Sequence, residues 1–124
     1  MSLRAFGELE ERIMTILWRQ DSPATVREVH AELTRQTPLA YTTVMTVMDR
    51  LWRKGVLRRE PRGRAFEYLP VQSEAEYTAA LMHDLLARAR DWRTALAHFV
   101  RGMRKRDEAE LLRIAGDVAR QKRR

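Results

Sequence analysis

The 124-residue sequence predicts a mainly α fold with a small β-hairpin: an N-terminal winged helix-turn-helix followed by a C-terminal helical dimerisation region. Three observations predict it. Apolar residues recur at helical spacing in three successive segments before Gly55, the pattern of helices that each bury one face. The period then changes from 3.6 to 2 across residues 56–69, around a Pro-Arg-Gly-Arg turn. From Ser73 the helical spacing returns and continues toward the end. Helix, short break, helix, short turn, helix, hairpin is the layout of a helix-turn-helix that carries a wing.

The first helix is expected over residues 8–20, with Leu9, Ile13, Ile16 and Leu17 inward and Glu10, Glu11, Arg12 and Arg19 outward. Trp18 suits either the core or a neighbouring element. Asp21-Ser22-Pro23 breaks this helix. Thr25-Val26-Arg27-Glu28 then has the spacing of a capping box, hydroxyl to third amide and carboxylate back to the cap. The second helix is expected to reach about Gln36, with Val26, Val29 and Leu33 inward. Thr37-Pro38-Leu39-Ala40 turns the chain into the third helix, which starts at Tyr41 and stops at Gly55, a residue suited to a left-handed cap.

That third helix has two faces. Val44, Val47, Met48 and Leu51 form the core stripe, and Thr42, Thr43, Thr46, Arg50 and Arg53 lie opposite. Short side chains at a helix N-terminus can reach base edges in a major groove, and arginines behind them can hold phosphates. The plain alternative is an amphipathic helix with a solvated polar face. Met45 sits between the faces and suits either the groove or the core edge. The segment beyond Gly55 favours the groove. Residues 56–60 and 65–69 read as strands, with Leu57, Phe66 and Tyr68 inward, joined by Pro61-Arg62-Gly63-Arg64. Between Asp49 and Arg64, Arg50, Arg53, Lys54, Arg58, Arg59, Arg62 and Arg64 face only Asp49 and Glu60 in number, a local excess of five positive charges. The chain's overall excess of +7 is thus concentrated beside the suspected groove helix.

Pro70-Val71-Gln72 marks a boundary, giving a winged-helix part over residues 1–71 and a helical part over 73–124. Ser73 with Glu76 is a second capping box. Tyr77, Leu81, Leu85 and Met82 line one stripe, and Trp92, Leu96, Phe99, Val100 and Met103 another. A last helix starting at Asp107 or Glu108 carries Leu111, Leu112, Ile114 and Val118. Helices with so little interior of their own need a partner surface, and a symmetric dimer is the commonest solution. Leu81, Leu85, Trp92, Leu96, Phe99, Val100, Leu111, Leu112, Ile114 and Val118 are the candidate interface.

Composition narrows the function classes. The absence of cysteine excludes disulfides and thiolate metal sites. Apolar runs fall far short of the roughly 20 residues of a membrane span. The first eleven residues hold Glu8, Glu10 and Glu11 and no apolar core of a signal peptide. The expectation is a soluble, cytoplasmic protein without membrane contact. Glycines are five and scattered, so no phosphate loop is formed, and no GxSxG elbow occurs. His30, His83 and His98 show no metal-binding spacing. No catalytic residue, metal or cofactor is expected. Arg101, Arg104, Lys105 and Arg106 form a second basic run, read as a solvated helix end against a second nucleic-acid site. Trp92 and Phe99 suit a core or interface better than a ligand pocket. A membrane-surface helix fits poorly, because Asp84, Asp91, Glu108 and Glu110 interrupt the basic residues.

Leu39-Ala40-Tyr41-Thr42-Thr43-Val44-Met45-Thr46, with Arg50-Leu51, Lys54-Gly55-Val56-Leu57, Gly63-Arg64-Ala65 and Tyr68, resembles the penicillinase-repressor family of winged-helix regulators, the BlaI/MecI type, and within it the mycobacterial and actinobacterial members. The likeness runs nearly the full length. It implies a dimeric repressor of palindromic double-stranded operators, typically upstream of β-lactamase and β-lactam-sensor genes. Carried over by position, Thr42, Thr43, Met45 and Thr46 would be the recognition contacts. Arg50 and Arg53 would be phosphate contacts, and Arg62 and Arg64 would lie on the wing. In staphylococcal members a β-lactam sensor triggers proteolysis at an Asn-Phe bond in the dimerisation region. The pair matching it here is His98-Phe99, with the Phe kept and the Asn replaced. The family's copper-sensing branch uses a cysteine-rich motif that this chain lacks. The competing function is a winged helix that docks proteins and reads no DNA sequence.

Overall fold

In the computed structural model, which describes residues 6–124, the first apolar stripe becomes helix α1, Glu8–Gln20. The reading of the N-terminal eleven residues as no leader rests partly on residues 1–5, outside the described residues. Ile13, Met14 and Leu17 are the buried positions of α1. Leu9 and Ile16, expected inward, are half-buried. At about 100° per residue, the buried sector centres near Leu17 and extends toward Met14, which leaves Leu9 and Ile16 on its opposite edge. Asp21 closes α1 in the left-handed region at φ 54°, a conformation that a short polar side chain tolerates.

The chain then adds a two-residue strand that the sequence pattern did not reveal, β1 (Ala24–Thr25). Alternation cannot be read from two residues. Helix α2 (Val26–Leu33) starts from the expected capping box: the Glu28 amide donates to Thr25 Oγ1 at 3.2 Å, and the Thr25 amide donates to Glu28 Oε1 at 3.0 Å. It ends at Leu33, earlier than the expected Gln36, because the chain passes into turns at Thr34. The Thr34 hydroxyl donates to the His30 and Ala31 carbonyls there.

Helix α3 (Tyr41–Arg53) buries Val44, Val47, Met48 and Leu51, the four expected residues. Its end is a full Schellman motif. The Gly55 amide donates to the Trp52 carbonyl and the Val56 amide to the Leu51 carbonyl, both at 3.0 Å, with Gly55 at φ 80°. That motif turns the chain directly into strand β2 (Leu57–Arg62) and, after a tight turn with Gly63 at φ 61°, strand β3 (Ala65–Pro70). The sheet is antiparallel in the order β1-β3-β2, with Ala24 opposite Tyr68 and Arg59 opposite Tyr68 on the other side.

Leu57 and Tyr68 are buried as expected, but Phe66 is not: it is 42% exposed. Phe66 pairs with Pro61 near the hairpin tip, outside the core that α1, α2 and α3 form with the sheet's base. The core comprises Ile13, Met14, Leu17, Ala24, Val26, Val29, Leu33, Val44, Val47, Met48, Leu51, Leu57 and Tyr68. Helix α4 (Glu74–Ala87) is capped by Ser73, whose amide donates to Glu76 Oε1 at 2.9 Å and whose hydroxyl accepts from the Glu76 amide at 3.1 Å. Tyr77 is buried near its start, stacked on Phe6 with centroids 4.4 Å apart. Trp18 lies beside both rings, and its indole N–H donates to the Gln72 carbonyl at 3.0 Å.

These elements form one compact unit to Leu81; Met82–Arg124 form a second, so α4 begins in the first and ends in the second. In the second unit, α5 (Trp92–Arg101) is capped by Asp91, which accepts from the Thr94 amide at 3.1 Å. Helix α6 (Lys105–Lys122) begins before the expected Asp107 or Glu108, with Arg104 at the cap. The two acids occupy its first turn, where they complement the helix dipole without being the cap itself. Arg113 bridges Glu110 and Asp117 along α6, and Arg120 also meets Asp117. No residue of α5 or α6 is buried. Among the described residues no helix is long and apolar enough to cross a membrane.

Candidate nucleic-acid interface

The core stripe of α3 fixes what the helix shows outside. With Val44, Val47, Met48 and Leu51 inward, Thr42, Thr43, Met45, Thr46, Arg50 and Arg53 are all exposed. Met45 is 44% exposed and belongs to the outward face rather than the core edge. The Thr46 hydroxyl donates to the Thr42 carbonyl one turn earlier at 2.8 Å. Its proton is therefore spent on the helix, and the side chain offers a methyl group and oxygen lone pairs outward. The N-cap is Ala40, and neither a capping side chain nor an acid occupies the first turn. The Thr43 amide turns back to the Ala40 carbonyl at 3.1 Å, which leaves the amides before it to face a phosphate. His30 holds the approach to this helix: its Nε2 lies 2.7 Å from the Leu39 carbonyl, and its ring meets Tyr41 edge-on at 5.6 Å.

The cations of this segment are not equivalent. Arg53 Nε donates to Asp49 Oδ2 at 2.8 Å. Lys54 reaches Glu10 at 3.2 Å, and Arg62 lies 3.1 Å from Glu28 and 3.7 Å from Glu67. Arg59 is drawn inward, 3.3 Å from Asp49 Oδ1 with its side chain only 19% exposed. Among the described residues, Arg50, Arg58 and Arg64 enter no ion pair. These three present uncompensated charge. Arg58 is absent from the sequence-derived contact set. Its signal was legible, because it alternates with buried Leu57 on β2 and so had to face outward.

Two carboxylates beside this surface are held ionised. Burial raises the Glu10 carboxyl, but the Gly7 amide, the Lys54 ammonium and the Arg50 guanidinium outweigh burial and keep it below the ordinary range. The Thr25 amide and hydroxyl hold Glu28 low against a smaller burial effect, with Arg62 adding to them. Arg53 and Arg62 thus already have carboxylate partners, and any phosphate they meet competes with those. The exposed pairs are each worth about 0–1 kcal/mol, little enough for a polyanion to displace.

The candidate dimer residues divide by burial. Leu81 lies half-buried in the first unit. In the second, Val100 and Leu111 are half-buried, while Leu85, Trp92, Leu96, Phe99, Leu112, Ile114 and Val118 are exposed. Met82, Leu85, Leu86, Ala89, Ala95, Leu96 and Phe99 line an apolar groove of about 560 Å³. His98 and Phe99 are both exposed and sit within α5, in its last turn. Among the described residues no cluster of His, Asp and Glu could hold a metal ion.

Comparison with known proteins matches residues 6–116 to the penicillinase repressor family model. The transcriptional regulator BlaI of Mycobacterium tuberculosis is 44% identical over 116 residues, covering 91% of this chain and 83% of that protein. Among solved structures, the DNA-binding domain of the repressor BlaI superposes with TM-score 0.53 at 29% identity, over 62% of this chain and 94% of that domain. Monomeric Bacillus licheniformis BlaI in complex with the blaP half-operator gives 0.50 at 30% identity, over 60% of this chain and 89% of that one.

Proposed function

The chain belongs to the penicillinase-repressor family, and from that premise we propose that it is a DNA-binding transcriptional repressor and not an enzyme. It acts as a homodimer on palindromic operators, covering a promoter so that polymerase is excluded. Residues 1–71 supply the winged helix and 73–124 the dimerisation region. Helix α3 enters the major groove with Thr42, Thr43, Met45 and Thr46 toward base edges, while Arg50 and Arg53 meet phosphates and Arg62 and Arg64 flank the groove from the wing. Its targets are β-lactamase and antibiotic-response genes. Derepression comes from a β-lactam-sensor-linked protease that cuts the dimerisation region, with His98-Phe99 the matching bond. Operator DNA places this work in the cytoplasm.

The observation that supports this reading best is local. Three exposed threonines on the outward face of α3 share one small unit with three unpaired arginines, two of them on the adjoining hairpin. A protein-docking wing has no use for that charge. Selecting bound duplexes from a random pool and footprinting the winners tests it. The expected result is a two-fold symmetric site with half-sites about one helical turn, or a multiple of it, apart. No duplex binding at low salt would overturn it and favour a docking module.

A further inference from the structure

Arg59 behaves unlike the other cations of the hairpin. Its guanidinium lies 3.5 Å from the ring centroid of Trp52 and 4.2 Å from that of Phe66. Its Nη1 reaches Tyr68 Oη and Asp49 Oδ1, each at 3.3 Å. Asp49 and Trp52 belong to α3, Phe66 and Tyr68 to β3, and Arg59 itself to β2. One side chain therefore ties the helix to both strands of the wing. The contact also accounts for exposed Phe66: its ring serves as one wall of the clamp rather than as core.

A phosphate contact would require Arg59 to abandon two aromatic faces and a carboxylate, each more favourable for being partly shielded from water. We infer that Arg59 is a positioning residue that sets the angle of the wing against α3. Asp49 binds Arg59 through one oxygen and Arg53 through the other, so the clamp stands on a carboxylate already fixed within α3. The inference rests on the DNA-binding reading above. Its mechanical basis is leverage. The hairpin is anchored in the core at Leu57, and its tip at Gly63 lies six residues on, roughly 20 Å at about 3.4 Å per residue. A tilt of about 10° at the base then displaces the tip by roughly 3–4 Å, more than the length of a hydrogen bond. The fork and plane of arginine suit this clamp, whereas a lysine keeps only the charge.

The test is Arg59→Lys in the full chain, measured for operator affinity per folded molecule, with thermal unfolding as the control for folding. Loss of one wing phosphate per protomer weakens binding by about thirtyfold at roughly 0.15 M salt, from a slope of about 0.9 per phosphate. A loss of at least that size is expected for Arg59→Lys, and adding Arg59→Lys to the Arg62→Ala/Arg64→Ala variant, which has no wing contact left to misplace, is expected to change affinity by less than about twofold. Phe66→Leu, at an exposed site that leaves the core untouched, is expected to weaken binding in the same direction and covers the case in which Arg59→Lys does not fold. Wild-type affinity in Arg59→Lys, or in Phe66→Leu where Arg59→Lys is unfolded, overturns the inference. So do losses in Arg59→Lys and Arg62→Ala/Arg64→Ala that simply multiply. A wild-type chain that binds no duplex overturns the DNA-binding reading and this inference with it.

Discussion

Replacing Arg50 with glutamine isolates the electrostatic part of the proposed interface. Arg50 is exposed and, among the described residues, forms no ion pair. Its nearest electrostatic role is a weak pull on Glu10, a carboxylate already held by the Gly7 amide at 3.1 Å and by Lys54 at 3.2 Å. The fold should therefore change by no more than about 0.5 kcal/mol, the range of an ordinary surface substitution. A homodimer loses two phosphate contacts, so the slope of log affinity against log salt should become shallower by about 1.8. The same slope predicts a loss of about 200-fold at roughly 0.05 M salt, thirtyfold at roughly 0.15 M and three- to fourfold at roughly 0.5 M. Fluorescence anisotropy on operator and on random duplex over that range supplies the numbers. Both duplexes should weaken alike, because phosphates carry no sequence information. An unchanged slope with intact unfolding temperature would remove Arg50 from the phosphate contacts. A collapse of the operator-to-random ratio would make it a base reader.

The remaining predictions come from local geometry. Because the Thr46 hydroxyl donates to the Thr42 carbonyl and turns its methyl and oxygen lone pairs outward, Thr46→Ala should lose about 1–3 kcal/mol of preference at one base pair per half-site, and Thr46→Val, which keeps a methyl but no acceptor, separates a methyl contact from an accepted hydrogen bond; equal preference for the wild type and Thr46→Ala in competitive binding would exclude Thr46 from readout. The Glu28 carboxyl is held low by the Thr25 amide and hydroxyl, so its stabilisation is present above the unfolded value of about 4.5 and fades as pH falls through the lower folded value. Melts of Glu28→Gln should accordingly lose less stability than the wild type on acidification through that window, and parallel curves would exclude the linkage. Thr25→Ala should cost about 1 kcal/mol at neutral pH through loss of the same cap.

Much of the first unit was legible because long periodic segments leave few alternatives. The α3 stripe, both capping boxes and the Gly55 stop each rest on one local rule, and each rule acts over a few residues. What the sequence concealed depends on residues distant in the chain. Strand β1 exists because β3 offers Tyr68 and Glu67 as partners, and nothing in Ala24-Thr25 announces them. Phe66 obeys the alternation that puts it on Tyr68's face, yet the core ends before reaching it. Arg59 looked like one more basic residue in a basic segment, since its charge is local but its aromatic and acidic partners come from two other elements. The pairing of Arg62 with Glu28 was hidden for the same reason, whereas Arg53 meets Asp49 one turn back on its own helix, a spacing that the sequence displays. Net charge counts cations, and only coordinates show which already hold a carboxylate.

The second unit poses an energetic problem that the proposed dimer answers. Leu85 is 71% exposed and Leu112 70% exposed, and Trp92, Leu96, Phe99, Ile114 and Val118 each leave much of their surface to water. At about 25 cal/mol per Å² of apolar area, covering such faces with a second copy is a substantial driving force. The His98 carbonyl, at the proposed cleavage bond, accepts from the Gly102 amide at 3.1 Å. A protease needs its substrate extended, so the last turn of α5 must unwind before His98-Phe99 can be cut. In a lone protomer that opening disturbs no buried residue of α5; in a dimer covered there it also exposes Phe99. Cleavage by a nonspecific protease should therefore slow as protein concentration rises through the dimerisation range, and Leu112→Glu should abolish the dependence while leaving the first unit folded. Separating the two hands forfeits avidity of about 10²–10⁴, so the cut chain should lose its operator at concentrations where the intact dimer holds it. A cleavage rate independent of concentration in the wild type would refute the link between pairing and protection, because the bond would then be equally open in both states.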